Sequence, residues 1–123
     1  MALNILIVDD STAIRKILIR VLRQTGLAIC EVFEARDGLE ALEVVKNHTL
    51  NLVLSDINMP NMDGLSLLAE LKASEVWRNL PVVMITTEGS EEKVGQAIRL
   101  GSAAYIRKPF TAEQIQEKIS AIL

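Results

Sequence analysis

Aromatic side chains make up only 3% of the 123 residues, so a core must be built from Leu, Ile, Val and Ala. The single cysteine, Cys30, excludes an internal disulfide and with it the small disulfide-stapled secreted scaffolds. Cys30 falls in a strand-like run and is expected as buried apolar filler. The single histidine, His48, lies in an expected loop away from the other polar clusters, so no serine–histidine pair is available for nucleophilic chemistry. No apolar run approaches the ~20 residues of a membrane span, and Met1-Ala2-Leu3-Asn4 lacks the basic start of a signal peptide. A cytoplasmic location is the expectation. Sixteen acidic against 13 basic residues give a net charge of −3, without the basic excess of a nucleic-acid binder. Repeats, linkers and low-complexity segments are also missing. With 50% hydrophobic residues, the expectation is one domain spanning 1–123 with a proper core.

What is present is a set of short apolar runs that end in charge. Asn4-Ile5-Leu6-Ile7-Val8 runs into Asp9-Asp10, Leu52-Val53-Leu54 into Ser55-Asp56, and Ala103-Ala104-Tyr105-Ile106 through Arg107 into Lys108-Pro109. Each run reads as a buried strand. Helical stripes separate them. Ile14, Ile17, Leu18, Val21 and Leu22 form the first, started by Ser11 or Asp10 and closed by Gly26. Ile29 to Ala35 is the second strand. Asp37 caps the next helix, with Glu40 completing a capping box and Leu39 and Leu42 facing inward. Pro60 forbids continuing the third strand, so 58–64 is a loop before a helix with Leu65, Leu68 and Leu71 inside. Pro81 to Thr86 is the fourth strand, Ser90 caps the fourth helix and Gly101 ends it. Thr111 and Gln114 form a capping box for the last helix, with Ile115, Ile119 and Ile122 inside.

Strand and helix thus alternate five times. That predicts an α/β, flavodoxin-like (βα)5 three-layer sandwich with a five-stranded parallel sheet in order 2-1-3-4-5. Strands one and three are then neighbours, and Asp9, Asp10 and Asp56 meet in one crevice at the C-terminal sheet edge, where open α/β sheets bind ligands.

Crowded carboxylates repel, and a cation relieves the repulsion. Hard oxygen ligands with room for water and phosphate favour Mg2+. Asp56, alone at the end of a central strand, is the best candidate for a nucleophile that carries a phosphoryl group as an acyl phosphate. Lys108 and Mg2+ would neutralise charge on the transferred group. Thr86 and Thr87 add hydroxyl donors. Taken singly, these residues have ordinary explanations. Asp9-Asp10 can be a helix cap, Asp56 a turn residue, Lys108 a solvated lysine and Thr86 a β-branched strand residue. The reading rests on their coincidence at one edge.

The segments Ile5-Leu6-Ile7-Val8-Asp9-Asp10-Ser11, Leu54-Ser55-Asp56-Ile57-Asn58-Met59-Pro60-Asn61-Met62-Asp63-Gly64, Ile85-Thr86 and Lys108-Pro109-Phe110 together resemble the CheY-like receiver domain of two-component response regulators. The likeness covers the whole chain. Receivers of this kind themselves exemplify the 2-1-3-4-5 order, so that topology is not independent of the resemblance.

The resemblance implies a phosphorylation-dependent signalling switch rather than an enzyme with a free substrate. It implies Asp56 as phosphoacceptor, Asp10 as direct Mg2+ ligand, Asp9 acting through water, and the main-chain carbonyl of Asn58 as a further ligand. Lys108 is implied to pair with the phosphate, Thr86 to supply the switch hydroxyl, Tyr105 to report the switch by its rotamer, and Pro109 to follow a cis bond. Asn58, Glu88 and Thr87 are implied to tune the acyl-phosphate lifetime. Thr87 departs from the Ala or Gly frequent in the family, and a larger side chain there narrows access to Asp56.

The implied partners are a sensor histidine kinase or phosphotransfer protein, and a target on the surface of helix four, strand five and helix five. Chemotaxis is one setting; a phosphorelay or adaptor role is another. An aspartate-nucleophile phosphatase is a competing class, although it wants D-x-D at one strand end. A receiver that works without phosphorylation is a further alternative. Lys16, Arg20 and Arg23 form a basic stripe that fits either an acidic partner or a solvated face. Met59, Met62 and Ala13 are candidates to rim the site and touch the kinase, with core filling the alternative for Met62. Trp77 is expected to pack at the surface. If the chain is the whole protein, output must come through association; if it is a fragment, an output domain can follow.

Overall fold

The computed structural model describes residues 2–87 and 90–123. Five strands alternate with five helices: β1 (Leu3–Val8), α1 (Thr12–Arg23), β2 (Ile29–Ala35), α2 (Gly38–Asn47), β3 (Leu52–Ser55), α3 (Gly64–Ala73), β4 (Val82–Thr86), α4 (Glu91–Arg99), β5 (Ala104–Arg107) and α5 (Ala112–Ile122). The strands form one parallel sheet in order β2-β1-β3-β4-β5, which is the flavodoxin-like arrangement.

Strand periodicity decides which residue meets which layer. Leu3, Ile5 and Ile7 of β1 pack with Leu52, Leu54, Val83, Ile85 and Ile106 under α1 and α5. Leu6 and Val8 point the other way and pack with Val53, Val82 and Met84 under α2, α3 and α4. Central strands covered on both faces read as continuous apolar runs for this reason. The core is aliphatic throughout: its largest fully buried side chains are Ile, Leu and Met.

Polar side chains start each helix. Ser11, Asp37, Asp63, Ser90 and Thr111 each accept a hydrogen bond from the main chain three residues on. The Thr111–Gln114 capping box is complete. At α2 only half of one forms. Asp37 accepts from Glu40 N, but the Glu40 carboxylate reaches Arg36 N at 2.8 Å and the Arg36 guanidinium.

Three other expectations, for Cys30, Ile17 and Leu39, are corrected. Cys30 is exposed rather than buried. The β1–β2 register passes from Leu3↔Ile29 to Asn4↔Glu31, so Cys30 is the extra residue of a bulge on an edge strand. Ile17 and Leu39 are 43% and 51% exposed, because the buried lines run through Arg15, Leu18 and Leu22 on α1 and through Gly38, Ala41 and Val45 on α2. The apolar stripes are wider than the faces that are covered. Trp77 is half-buried and packs against the α2–α3–α4 side of the core. Of the basic stripe, Lys16 is paired with Glu34 at 2.8 Å, while Arg20 and Arg23 are exposed. Among the described residues no helix is long and apolar enough to cross a membrane.

Candidate functional site

The sheet register assembles the site. Val8 pairs with Ser55 across β1 and β3, and Asp56 N donates to Val8 O at 2.9 Å. The residues that follow, Asp9 and Asp56, therefore emerge side by side although they stand 47 positions apart in the chain. On the other side of β3, β4 pairs with β5 up to Thr86↔Arg107, and Lys108 N donates to Thr86 O at 3.0 Å. This places Lys108 at the same edge.

Asp9, Asp10 and Asp56 each offer a carboxylate oxygen, and the three lie within 4.8 Å of one another. Asp9 is buried, Asp56 half-buried and Asp10 exposed. The Lys108 ammonium donates to Asp9 Oδ2 at 2.8 Å and to Asp56 Oδ2 at 3.2 Å. Burial pulls the Lys108 pKa down, but the hydrogen bond to Asp9 and the charges of Asp56 and Asp9 outweigh it and hold the pKa above the ordinary lysine value. One ammonium against three carboxylates leaves a negative surplus that a divalent cation can compensate. The donor set is all hard oxygen, with one carboxylate facing solvent, and so fits Mg2+ and its retained waters.

Local bonds orient each acid. Asp9 Oδ1 accepts from Ser11 N at 2.9 Å, and Asp56 Oδ1 accepts from Ile57 N at 2.7 Å. The other oxygen of each faces Lys108. Gly64 N donates to Ile57 O at 2.8 Å, and a Cβ on Gly64 would collide with the Asp56 carbonyl. Glycine there lets α3 start against the strand end. Asn58 is exposed beside the acids in sequence.

Thr86 is fully buried at the end of β4, and Thr87 is exposed. Tyr105, half-buried on β5, pairs in register with Met84. The Lys108–Pro109 peptide bond is cis. Glu88 lies outside the described residues. Met59 and Met62 are half-buried against the core, and Ala13 is exposed. His48, at the C-terminal end of α2 and away from the site, packs against Phe33 with ring centroids 4.2 Å apart and planes tilted by 31°.

Sequence reasoning missed Arg15. Its guanidinium is buried and donates to the Asp9 carbonyl at 2.7 Å, to Glu34 at 3.0 Å and to Thr12 at 3.1 Å. The available signal was phase: Arg15 stands three residues before Leu18, in line with the buried face of α1. The hydrogen bond from Lys16 holds the Glu34 pKa below the ordinary glutamate value, against the opposing pull of burial and with help from the Arg15 hydrogen bond.

Comparison with known proteins agrees with this geometry. The family model described as the response regulator receiver domain matches residues 5–120. The chain is 42% identical over 120 residues to the chemotaxis protein CheY-3 of Vibrio cholerae serotype O1, covering 98% of this chain and 91% of that one. The high-resolution structure of Vibrio cholerae chemotaxis response regulator CheY4 superposes with a TM-score of 0.88 at 31% identity, covering 100% of both chains. A CheX–CheY–BeF3–Mg2+ complex from Borrelia burgdorferi matches with a TM-score of 0.86 at 33% identity, covering 98% of this chain and 88% of that one. With strand order, acidic crevice and sequence in agreement, the chain belongs to the CheY-like response regulator receiver domains.

Proposed function

We propose that Asp56 accepts a phosphoryl group from a histidine kinase or phosphotransfer protein, and that the resulting acyl phosphate switches the α4–β5–α5 face to bind a target. The observation that carries this reading is the convergence of Asp9, Asp10, Asp56 and Lys108 at one sheet edge. A carboxylate surplus with a single fixed ammonium is arranged for a cation and a phosphate together.

In the transfer, a lone pair of Asp56 Oδ forms the new O–P bond while the N–P bond of a phosphohistidine breaks. The electron pair of the broken bond returns to the imidazole nitrogen. Asp9, Asp10, Asp56 and the Asn58 carbonyl would hold Mg2+, whose chemistry when bound is to neutralise charge on the phosphoryl oxygens. Lys108 leaves its bond with Asp56 and pairs with a phosphoryl oxygen. Thr86, buried at the end of β4, turns its hydroxyl to another. Movement of that strand end makes room for Tyr105 to turn inward, and the surface it shares with α4 and α5 changes. This is a two-state element biased by a local charge. Asn58, Thr87 and Glu88 control how readily water reaches the acyl phosphate. The likeness to chemotaxis proteins supports a chemotaxis-type regulator, and a cytoplasmic location belongs to the same proposal.

Labelling by a radioactive phosphohistidine donor tests the reading. Stoichiometric, Mg2+-dependent, acid-stable and base-labile label is expected on the native chain and none on Asp56→Asn. Full label on Asp56→Asn would reject the assignment, and sustained turnover of a small phosphoester would move the chain to the phosphatase class.

A further inference from the structure

We propose that Asp37 and Asn61 form a latch through which α2, which supplies no ligand, sets the divalent-cation affinity of the site. The proposal rests on the reading of Asp9, Asp10, Asp56 and Asn58 as the Mg2+ ligands.

Those ligands come from two loops. The first, between β1 and α1, is held by Ser11 and by the Arg15 bond to the Asp9 carbonyl. The second, residues 57–64, is closed at its base by Gly64 N donating to Ile57 O at 2.8 Å. Its far side is tied outward to α2. Asn61 Nδ2 donates to Asp37 Oδ2 at 2.7 Å, and Gly38 N donates to Met62 O at 2.9 Å. Two adjacent residues at the start of α2 thus grip two adjacent residues of the loop, and Asn58 lies between the base and this grip.

The chemistry of the grip is specific. Asp37 is only 6% exposed and uses both oxygens, Oδ1 for the N-cap bond from Glu40 N at 2.9 Å and Oδ2 for Asn61. An ionised carboxylate only accepts, so the Asn61 amide must donate, and a charged acceptor strengthens the bond. Asn61 has φ 66°, a left-handed backbone that Asn tolerates better than most residues. The side chain of Met62 lies over Gly38 so closely that a Cβ there would overlap it. Every feature brings the loop against α2. A loop held in its binding shape does not have to be ordered when the cation arrives, so affinity rises without a new ligand. Groups that orient ligands rather than touch the metal commonly change its affinity by about 10-fold or more. Asp37 and Asn61 are therefore positioning residues.

Asn61→Gly removes the latch while keeping the left-handed backbone easy to adopt. Asp37→Ser keeps a helix-capping hydroxyl but lacks the second oxygen. Mg2+ affinity by calorimetry and hydrogen exchange of the Gly38 amide in metal-free protein are measured on both, on the double variant and on the native chain. Each single change is expected to weaken Mg2+ binding roughly 10-fold and to speed exchange at Gly38. The double variant should be no weaker than the worse single one, since both remove one bond. Native Mg2+ affinity in Asn61→Gly, or effects that add in the double variant, would overturn the latch. If Asp37→Ser does not fold, Asn61→Gly alone decides. A native chain that binds no Mg2+ would sink the metal assignment instead, while Gly38 exchange still reports whether Asn61 holds the loop.

Discussion

Lys108 sits closer to Asp9 than to Asp56, with its ammonium 2.8 Å from Asp9 Oδ2 and 3.2 Å from Asp56 Oδ2. The lysine that the proposed chemistry needs on the phosphate thus begins as the counter-ion of a proposed metal-binding acid. In the proposed chemistry, cation and ammonium would compete for the same carboxylates until a phosphoryl group gave the lysine a separate partner.

That competition predicts opposite effects from one substitution. Lys108→Met removes a positive charge from the proposed Mg2+ site, and like charges at such distances repel appreciably even at the effective dielectric of a protein surface. Mg2+ binding measured by calorimetry should tighten by roughly 10-fold, equivalent to about 1.4 kcal/mol. Beryllofluoride binding, which needs the ammonium on the phosphate side, should weaken by at least about 10-fold. Weaker Mg2+ binding in the variant would show that Lys108 holds the acids in place rather than competing for them.

Two glycine-to-alanine changes should go in opposite directions. A Cβ on Gly64 meets the Asp56 carbonyl, which is main chain and cannot yield cheaply. Gly64→Ala should cost about 2–4 kcal/mol in urea unfolding and reduce labelling of Asp56. Gly95 lies within α4, where a Cβ would stand 3.2 Å from Arg99 Nη1. Arg99 is exposed and free to move its tip, so Gly95→Ala should stabilise by up to about 1 kcal/mol through helix propensity.

Acid pH should weaken the brace beneath Asp9. The Glu34 pKa is held below its ordinary 4.5, chiefly by the Lys16 hydrogen bond, against the pull of burial and with help from Arg15. A depressed folded-state pKa contributes stability that is present above the unfolded value and lost as pH falls through the folded one. The difference in unfolding free energy between the native chain and Glu34→Gln should be constant above about pH 5 and shrink below about pH 4.5. Arg15→Met should destabilise by about 1–3 kcal/mol near neutral pH, because it strips donors from a buried carbonyl and a carboxylate. A pH-independent difference for Glu34→Gln would remove Glu34 from the brace.

Much of this was legible residue by residue. Val8 before Asp9, Leu54 before Ser55-Asp56, and Ile106 before Lys108 announce strands whose ends carry charge. Ser11, Asp37, Ser90 and Thr111 announce helix starts, since a cap bonds a main-chain group three residues away. Cys30, Ile17 and Leu39 were misplaced for one reason. Apolar character shows that a side chain can be buried, while a bulge on an edge strand or the width of a covered helix face decides whether it is. Glu40 missed its expected place because Arg36, just outside the helix, offered both a main-chain and a side-chain donor.

The order of residues by itself determined the alternation of strands and helices, the aliphatic core and the acidic ends of the strands, because these follow from periodicity and from bonds within a few residues. Only the folded chain decided that Lys108 rests on Asp9, that Arg15 grips the Asp9 carbonyl, and that Asn61 reaches Asp37. Each of those joins groups from different loops or layers, and its distance depends on the register and spacing of the packed sheet and helices, which local sequence patterns do not specify.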